Sequence, residues 1–174
     1  IKDIVATQQS YAGANSLMEP LHISELLEDA LRMNSGALTR HHVQVVKEYS
    51  DVPQVMGDKH RLLLILINLI SNAKYAMSDL SNRPRQMTLG VKIIEDKTLQ
   101  VSVKDDGEGI AEENMTRIFA HGFTTRKEGH GFGLHSCALA AIEMNGHLTA
   151  HSDGPGKGAL FTLQIPLKTV TEEA

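Results

Sequence analysis

The residues from Leu62 to Ile67 form an unbroken run of six apolar side chains, inside a segment whose spacing predicts a helix from Asp58, which can cap it, to about Met77. A helix that is apolar on every side has no face to give to water, so other elements must cover it and it must be largely buried. The run is far short of a membrane span, which needs about 20 residues. A chain of 174 residues can supply the cover as one compact domain without disulfide staples, and is too short for two full domains and a linker. The single cysteine, Cys137, excludes an internal disulfide, and no basic segment with an apolar signal core opens the chain, so a reducing, cytoplasmic setting is expected.

Around this helix the pattern supplies both layers. Ile4, Val5, Gln8, Tyr11, Ala12 and Asn15 share spacings of three and four, so Ile1 to Glu19 reads as a helix end stopped by Pro20, its thin apolar stripe suiting a fragment of something longer. Leu21 to Leu38 reads as a second helix, capped by Ser24 and carrying Leu26, Leu27, Ala30 and Leu31 until Gly36. Val43, Val45 and Lys47 alternate as a short strand. Met87, Leu89, Val91 and Ile93 alternate too, and pair as an antiparallel hairpin with Leu99, Val101 and Val103 across Glu95-Asp96-Lys97. A third helix through Leu134, Ala138, Leu139, Ala141 and Ile142 ends at Asn145-Gly146. Strands His147 to His151 and Ala159 to Pro166 then flank the turn Asp153-Gly154-Pro155-Gly156.

The loop from Asp105 to about Phe132 is too long to be a mere connection. Ten of the fourteen glycines follow Asp105 and six fall between Gly107 and Gly133, so backbone freedom or a close ligand approach is needed there. Seventeen basic against twenty-one acidic residues give −4, which argues against a nucleic-acid partner and makes any phosphate site a local one. Asn68 and Asn72 lie four apart, about 40° around the predicted helix, so they share a face and need either loop backbone or a ligand as partner. Their carbonyl oxygens are hard donors of the kind magnesium accepts beside phosphates. Asp105-Asp106-Gly107-Glu108-Gly109-Ile110 is either a tight acidic turn or a carboxylate aimed at a purine amino group; EF-hand spacing is absent. Gly129-His130-Gly131-Phe132-Gly133-Leu134 opens a helix, where free amides and the dipole favour an anion. It is neither a dinucleotide fingerprint nor a P-loop. Thr124-Thr125-Arg126-Lys127, with His121, His130 and His135, adds local positive charge, or else a solvated basic loop. His147 and His151 lack the companions of a zinc site, and Cys137 reads as a packing residue.

In order, four of these elements resemble the ATP-binding catalytic domain of two-component sensor histidine kinases, within the family that includes gyrase, the mismatch-repair ATPases and the heat-shock chaperone. Asn68-Leu69-Ile70-Ser71-Asn72-Ala73 is similar to the asparagine box and Asp105 to Ile110 to the first glycine box. Phe119 with Phe123-Thr124-Thr125-Arg126 is similar to the phenylalanine box, and Gly129 to Leu134 to the second glycine box. The resemblance covers roughly Pro20 to Leu167. It implies a two-layer α/β sandwich of the Bergerat type (α+β), with a mixed, mostly antiparallel sheet packed on three helices and a mobile ATP lid. It also implies that Asn72, helped by Asn68, holds the magnesium bridging the phosphates of ATP, that Asp105 bonds the adenine amino group, and that Gly107, Gly109 and Ile110 shape the base pocket. Thr124, Thr125 and Arg126 would belong to the lid; His130, Gly131, Phe132, Gly133 and Leu134 would wrap the phosphates. One departure is Tyr75, where many of these kinases have a phosphate-touching lysine. Lys74, about 120° around the helix from Asn68, is an imperfect substitute.

The resemblance divides the chain into the tail of a second dimerisation helix (1–19), the catalytic domain (20–168) and a polar tail (169–174). The family's acceptor histidine is followed by an acidic residue, and none of the nine histidines here is. The expectation is therefore a fragment of a larger kinase that binds Mg-ATP and phosphorylates a histidine on a dimerisation domain, with a response regulator as indirect partner, and does not phosphorylate itself. Two alternatives stay open: a nucleotide-sensing module without phosphotransfer, which Tyr75 favours, and a gyrase-type hydrolytic ATPase, which would need a glutamate where Asn68 stands.

Overall fold

A computed structural model describes residues 17–40, 42–78, 85–120, 122 and 133–170. Twelve elements follow in order: β1 (Met18–Leu21), α1 (Ile23–Met33), α2 (Ser35–Arg40), β2 (Gln44–Tyr49), β3 (Val55–Asp58), α3 (Lys59–Ala76), β4 (Gln86–Ile94), β5 (Thr98–Asp105), α4 (Glu112–Met115), α5 (Gly133–Glu143), β6 (His147–His151) and β7 (Ala159–Pro166). Five strands form one open sheet in the order β2-β4-β5-β7-β6. The β2–β4 pair is parallel and the other three are antiparallel. Strands β1 and β3 make a small antiparallel ribbon beside it.

One face of the sheet is apolar because each strand alternates. Met87, Leu89 and Val91 of β4, Leu99, Val101 and Val103 of β5, and Phe161, Leu163 and Ile165 of β7 all point the same way and are buried. Helix α3 crosses that face with Leu62, Ile65, Leu66, Leu69 and Ile70 inward, flanked by α1 and α5. The result is the two-layer sandwich with three principal helices and a mixed, mostly antiparallel sheet.

Several local expectations are corrected. Leu64 is 42% exposed, so α3 is covered on most but not every side. Met18 and Glu19 are strand rather than helix, since pairing with Asp58 and Gly57 outweighs the periodic pattern before them. The stretch Leu21 to Leu38 is two helices broken at Asn34, and α1 starts after His22, not Ser24, with no side-chain cap. Asp58 does cap α3, its Oδ1 accepting from Arg61 N–H at 3.2 Å. The same Arg61 donates from Nε to Glu143 at 2.8 Å, which ties the start of α3 to the end of α5.

Candidate nucleotide site

Strand β5 ends on Asp105, only 3% exposed, at the edge of the apolar layer. Burial pushes its carboxyl up from 3.8 to about 6, against the pull of hydrogen bonds from the Gly107 and Ala159 amides, and the neighbouring charges of Asp106 and Glu108 add to the rise. The Gly107 N–H reaches Oδ1 at 2.8 Å. No described cation forms an ion pair with it.

Past Asp105 the chain passes between two backbones. On one side it rests on the end of α3: Glu108 N–H donates to the Ala76 carbonyl at 2.8 Å, and a Cβ on Gly107 would lie 2.4 Å from that oxygen. On the other side it meets the β6–β7 turn. Gly156 N–H donates to Glu108 C=O at 2.7 Å, Gly158 N–H to Gly107 C=O at 3.2 Å, and Ile110 N–H to Ser152 Oγ at 3.0 Å. Gly109 has φ +73°, and a Cβ there would fall 2.1 Å from Gly154 O. Only glycine fits that left-handed, crowded position. The role of this turn was not legible in the sequence, because Ser152 lies 42 residues from the amide it holds.

Two turns earlier on α3, Asn68 and Asn72 are half-buried rather than enclosed. The Asn68 side-chain N–H donates to Leu64 C=O at 2.7 Å, which uses one of its two N–H donors and fixes the amide, so that the carbonyl oxygen is the hard donor atom it can offer. A Cβ on Gly133, the first residue of α5, would come within 2.9 Å of that oxygen. Asn68 thus meets the start of α5, while Ala76 meets the loop after Asp105. At 1.5 Å rise per residue, the two contacts are about 12 Å apart along one helix, with Asn72 between them. Tyr75 is 48% exposed, and the Lys74 ammonium lies 4.6 Å from its ring centroid, so the cation and the ring form one surface pair.

Leu134 is half-buried against the core, and His135 Nδ1 is 3.1 Å from Phe119 O, joining α5 to the segment where Phe119 packs edge-on against Phe161 at 6.3 Å. Burial raises the Cys137 thiol to about 12, as suits an inert packing residue. Thr124, Thr125, Arg126, His130, Gly131 and Phe132 lie outside the described residues. Among the described residues no group of three or more His, Cys, Asp or Glu is placed to hold a metal. The asparagine carbonyls of α3 are nonetheless hard oxygen donors, a set that fits an ion such as magnesium held chiefly by phosphates and water.

Residues 57–169 match the family model described as histidine kinase-, DNA gyrase B-, and HSP90-like ATPase. Sensor histidine kinase TmoS of Ectopseudomonas mendocina is 30% identical over 95% of this chain and 17% of its own length. Sensor histidine kinase ZraS of Escherichia coli K12 is 29% identical over 90% of this chain and 32% of its own. The chain therefore spans a third or less of these curated relatives. Among solved structures, full-length ShkA in complex with AMPPNP superposes with a TM-score of 0.77 at 25% identity, covering 88% of this chain and 32% of that one. The catalytic domain of histidine kinase ThkA gives 0.76 at 24% identity, covering 88% and 99%. With motifs, fold and relatives in agreement, the chain belongs to the family of histidine kinase-, DNA gyrase B- and HSP90-like ATPases and has the catalytic-domain architecture of the sensor histidine kinases.

Proposed function

We propose that this chain binds Mg-ATP and donates the γ-phosphoryl group to a histidine carried by a dimerisation domain of the same kinase, from which a response regulator is then served. In that division of the chain the catalytic domain begins with β1 at Met18 and runs to about 168, the residues before Met18 are the end of a dimerisation helix, and 169–174 is a polar tail. The observation that carries the reading is the landing of both glycine motifs on the last turns of α3, Gly133 at Asn68 and Gly107 with Glu108 at Ala76. An elongated ligand with an anionic and a heteroaromatic end fits that spacing.

At the base end, Asp105 accepts from the adenine amino group, and Gly107, Gly109 and Ile110 close around the ring. At the other end Asn72, assisted by Asn68, supplies a carbonyl oxygen to magnesium, which when bound neutralises charge on the phosphates. Lys74 and Tyr75 stand on α3 between Asn72 and Ala76, where Lys74 would have to reach along the helix to meet phosphate; Gly133 and Leu134 begin the helix that faces the anion, and Thr124, Thr125, Arg126, His130, Gly131 and Phe132 would enclose the phosphates. In transfer the bond from γ-phosphorus to the β,γ-bridging oxygen breaks, ADP leaves, and a phosphorus–nitrogen bond forms on the acceptor histidine. The protein's part is positioning and electrostatic stabilisation. Asn68, with its amino group held by Leu64 C=O, offers no carboxylate base for activating water, which favours transfer over gyrase-type hydrolysis. A cytoplasmic location fits an ATP-consuming domain, and no described helix is long and apolar enough to cross a membrane.

The test is to mix the chain with a histidine-bearing dimerisation domain and γ-labelled ATP, and to look for acid-labile phosphate on that domain. Titration with ADP and magnesium should show binding. Binding without label on any acceptor would leave a nucleotide-sensing module, and steady turnover by the chain alone would point to hydrolysis.

A further inference from the structure

The Ser152 hydroxyl stands at the junction of the base loop and the β6–β7 turn. It accepts from Ile110 N–H at 3.0 Å and from Gly154 N–H at 3.3 Å, and donates its one proton to Gly158 C=O at 2.7 Å, the nearer of two carbonyls in reach, Gly154 C=O lying at 3.3 Å. A serine hydroxyl has one proton and two lone pairs, so these three bonds use its whole capacity. Among the described residues no other hydrogen bond fixes Ile110 to the turn: the two backbone bonds from the turn, at Glu108 and Gly107, hold the loop earlier along its course. We propose that Ser152 is a positioning residue for nucleobase binding, which acts through Ile110 and the path of the loop after Asp105 without touching the ligand. The inference rests on the nucleotide reading given above.

The chemistry is specific to a hydroxyl. Alanine would leave the Ile110 N–H without its acceptor and the Gly158 carbonyl without its donor, and would free the loop exactly where it must hold a planar ring. The consequence falls on the base end alone, because the phosphate end is built by α3 and α5. Loss of Ser152 should therefore weaken every ligand that carries adenine and spare ligands that carry only phosphates.

The experiment titrates the full chain calorimetrically with Mg-ADP, adenosine and magnesium tripolyphosphate, in wild type, Ser152→Ala and Ser152→Thr. Mg-ADP and adenosine should each bind about tenfold more weakly to Ser152→Ala, with tripolyphosphate unchanged and with Ser152→Thr close to wild type. Equal losses for all three ligands, or equal losses in the Ala and Thr variants, would overturn the positioning role. So would unchanged Mg-ADP affinity in Ser152→Ala while wild type binds. Failure of wild type to bind Mg-ADP would instead break the nucleotide reading, and this inference with it. Should Ser152→Ala not fold, hydrogen exchange in unmodified protein decides: the Ile110 amide should be protected in the free chain and more so with Mg-ADP, and exchange at an exposed-loop rate in both states would refute the proposal.

Discussion

The central sheet carries a hairpin turn with left-handed residues at each end, and the two turns solve the same backbone problem differently. The β4–β5 turn, closed by Lys97 N–H to Ile94 C=O at 3.0 Å, puts Glu95 and Asp96 at φ 53° and 57°. The β6–β7 turn puts Gly154, Gly156 and Gly158 at φ 122°, 79° and 72°. A side chain with positive φ costs roughly 1 kcal/mol, which the far turn bears because its side chains have room. At Gly158 the penalty would be steric as well, since a Cβ there would stand 2.1 Å from the Asp105 carbonyl, whereas one on Gly154 or Gly156 would meet nothing within 4 Å. Glycine is thus required twice over at Gly158, where backbone touches backbone behind the candidate site, while Gly154 and Gly156 meet only the dihedral demand that Glu95 and Asp96 bear with side chains.

The largest expected effect breaks the near turn. Gly158→Ala should cost roughly 3 kcal/mol of stability in a denaturant titration and abolish ADP binding, because the displaced atom is the Asp105 backbone. Asp105→Asn should separate stability from binding. With a folded value near 6 and an unfolded one near 3.8, the native state holds the proton more firmly between those values, so stability falls as pH rises through about 4 to 6 and the full cost, roughly 3 kcal/mol, is present at pH 7. The neutral amide removes that cost, so Asp105→Asn should melt several degrees higher than wild type at pH 7.5 and no higher near pH 4, while losing calorimetric binding of ADP. A lower melting temperature at pH 7.5 would refute the burial argument. In wild type, lowering the pH from 7.5 to 5.5 should weaken ADP by about fourfold as the carboxyl gains its proton and ceases to be a pure acceptor; a flat profile would remove Asp105 as the adenine acceptor. The smallest effect sharpens the far turn: Glu95→Asn with Asp96→Gly should add about 0.5–1 kcal/mol and leave ADP affinity unchanged.

The elements that the sequence made legible are those whose signal is local. The α3 helix, its Asp58 cap and the β4–β5 hairpin follow from periodicity and one side chain, and the clustering of glycine pointed to the loop after Asp105. Strands β1 and β3 are four residues each without useful alternation, and exist because they find one another across more than thirty positions. Ser152 resembles any turn serine until the fold brings Ile110 to it. The Leu64 exposure likewise depends on which elements pack over α3, which no pattern within the helix encodes. Roles for Asn72, Asp105 and the lid residues were named from motif order; what the fold adds is that two of those motifs share one helix as their floor.

Strand β3 pairs with β1 on one side and with the C-terminal segment on the other, through Val55 to Thr169 and Met56 N–H to Lys168 C=O at 2.8 Å. The path in at Met18 and the path out at Thr169 are thus both fastened to the same short strand. Tension between those two points would be borne by that ribbon and would leave the ladder between β4, β5 and β7 unloaded, so the domain could be spliced into a surface loop of a host protein through short spacers without straining the sheet.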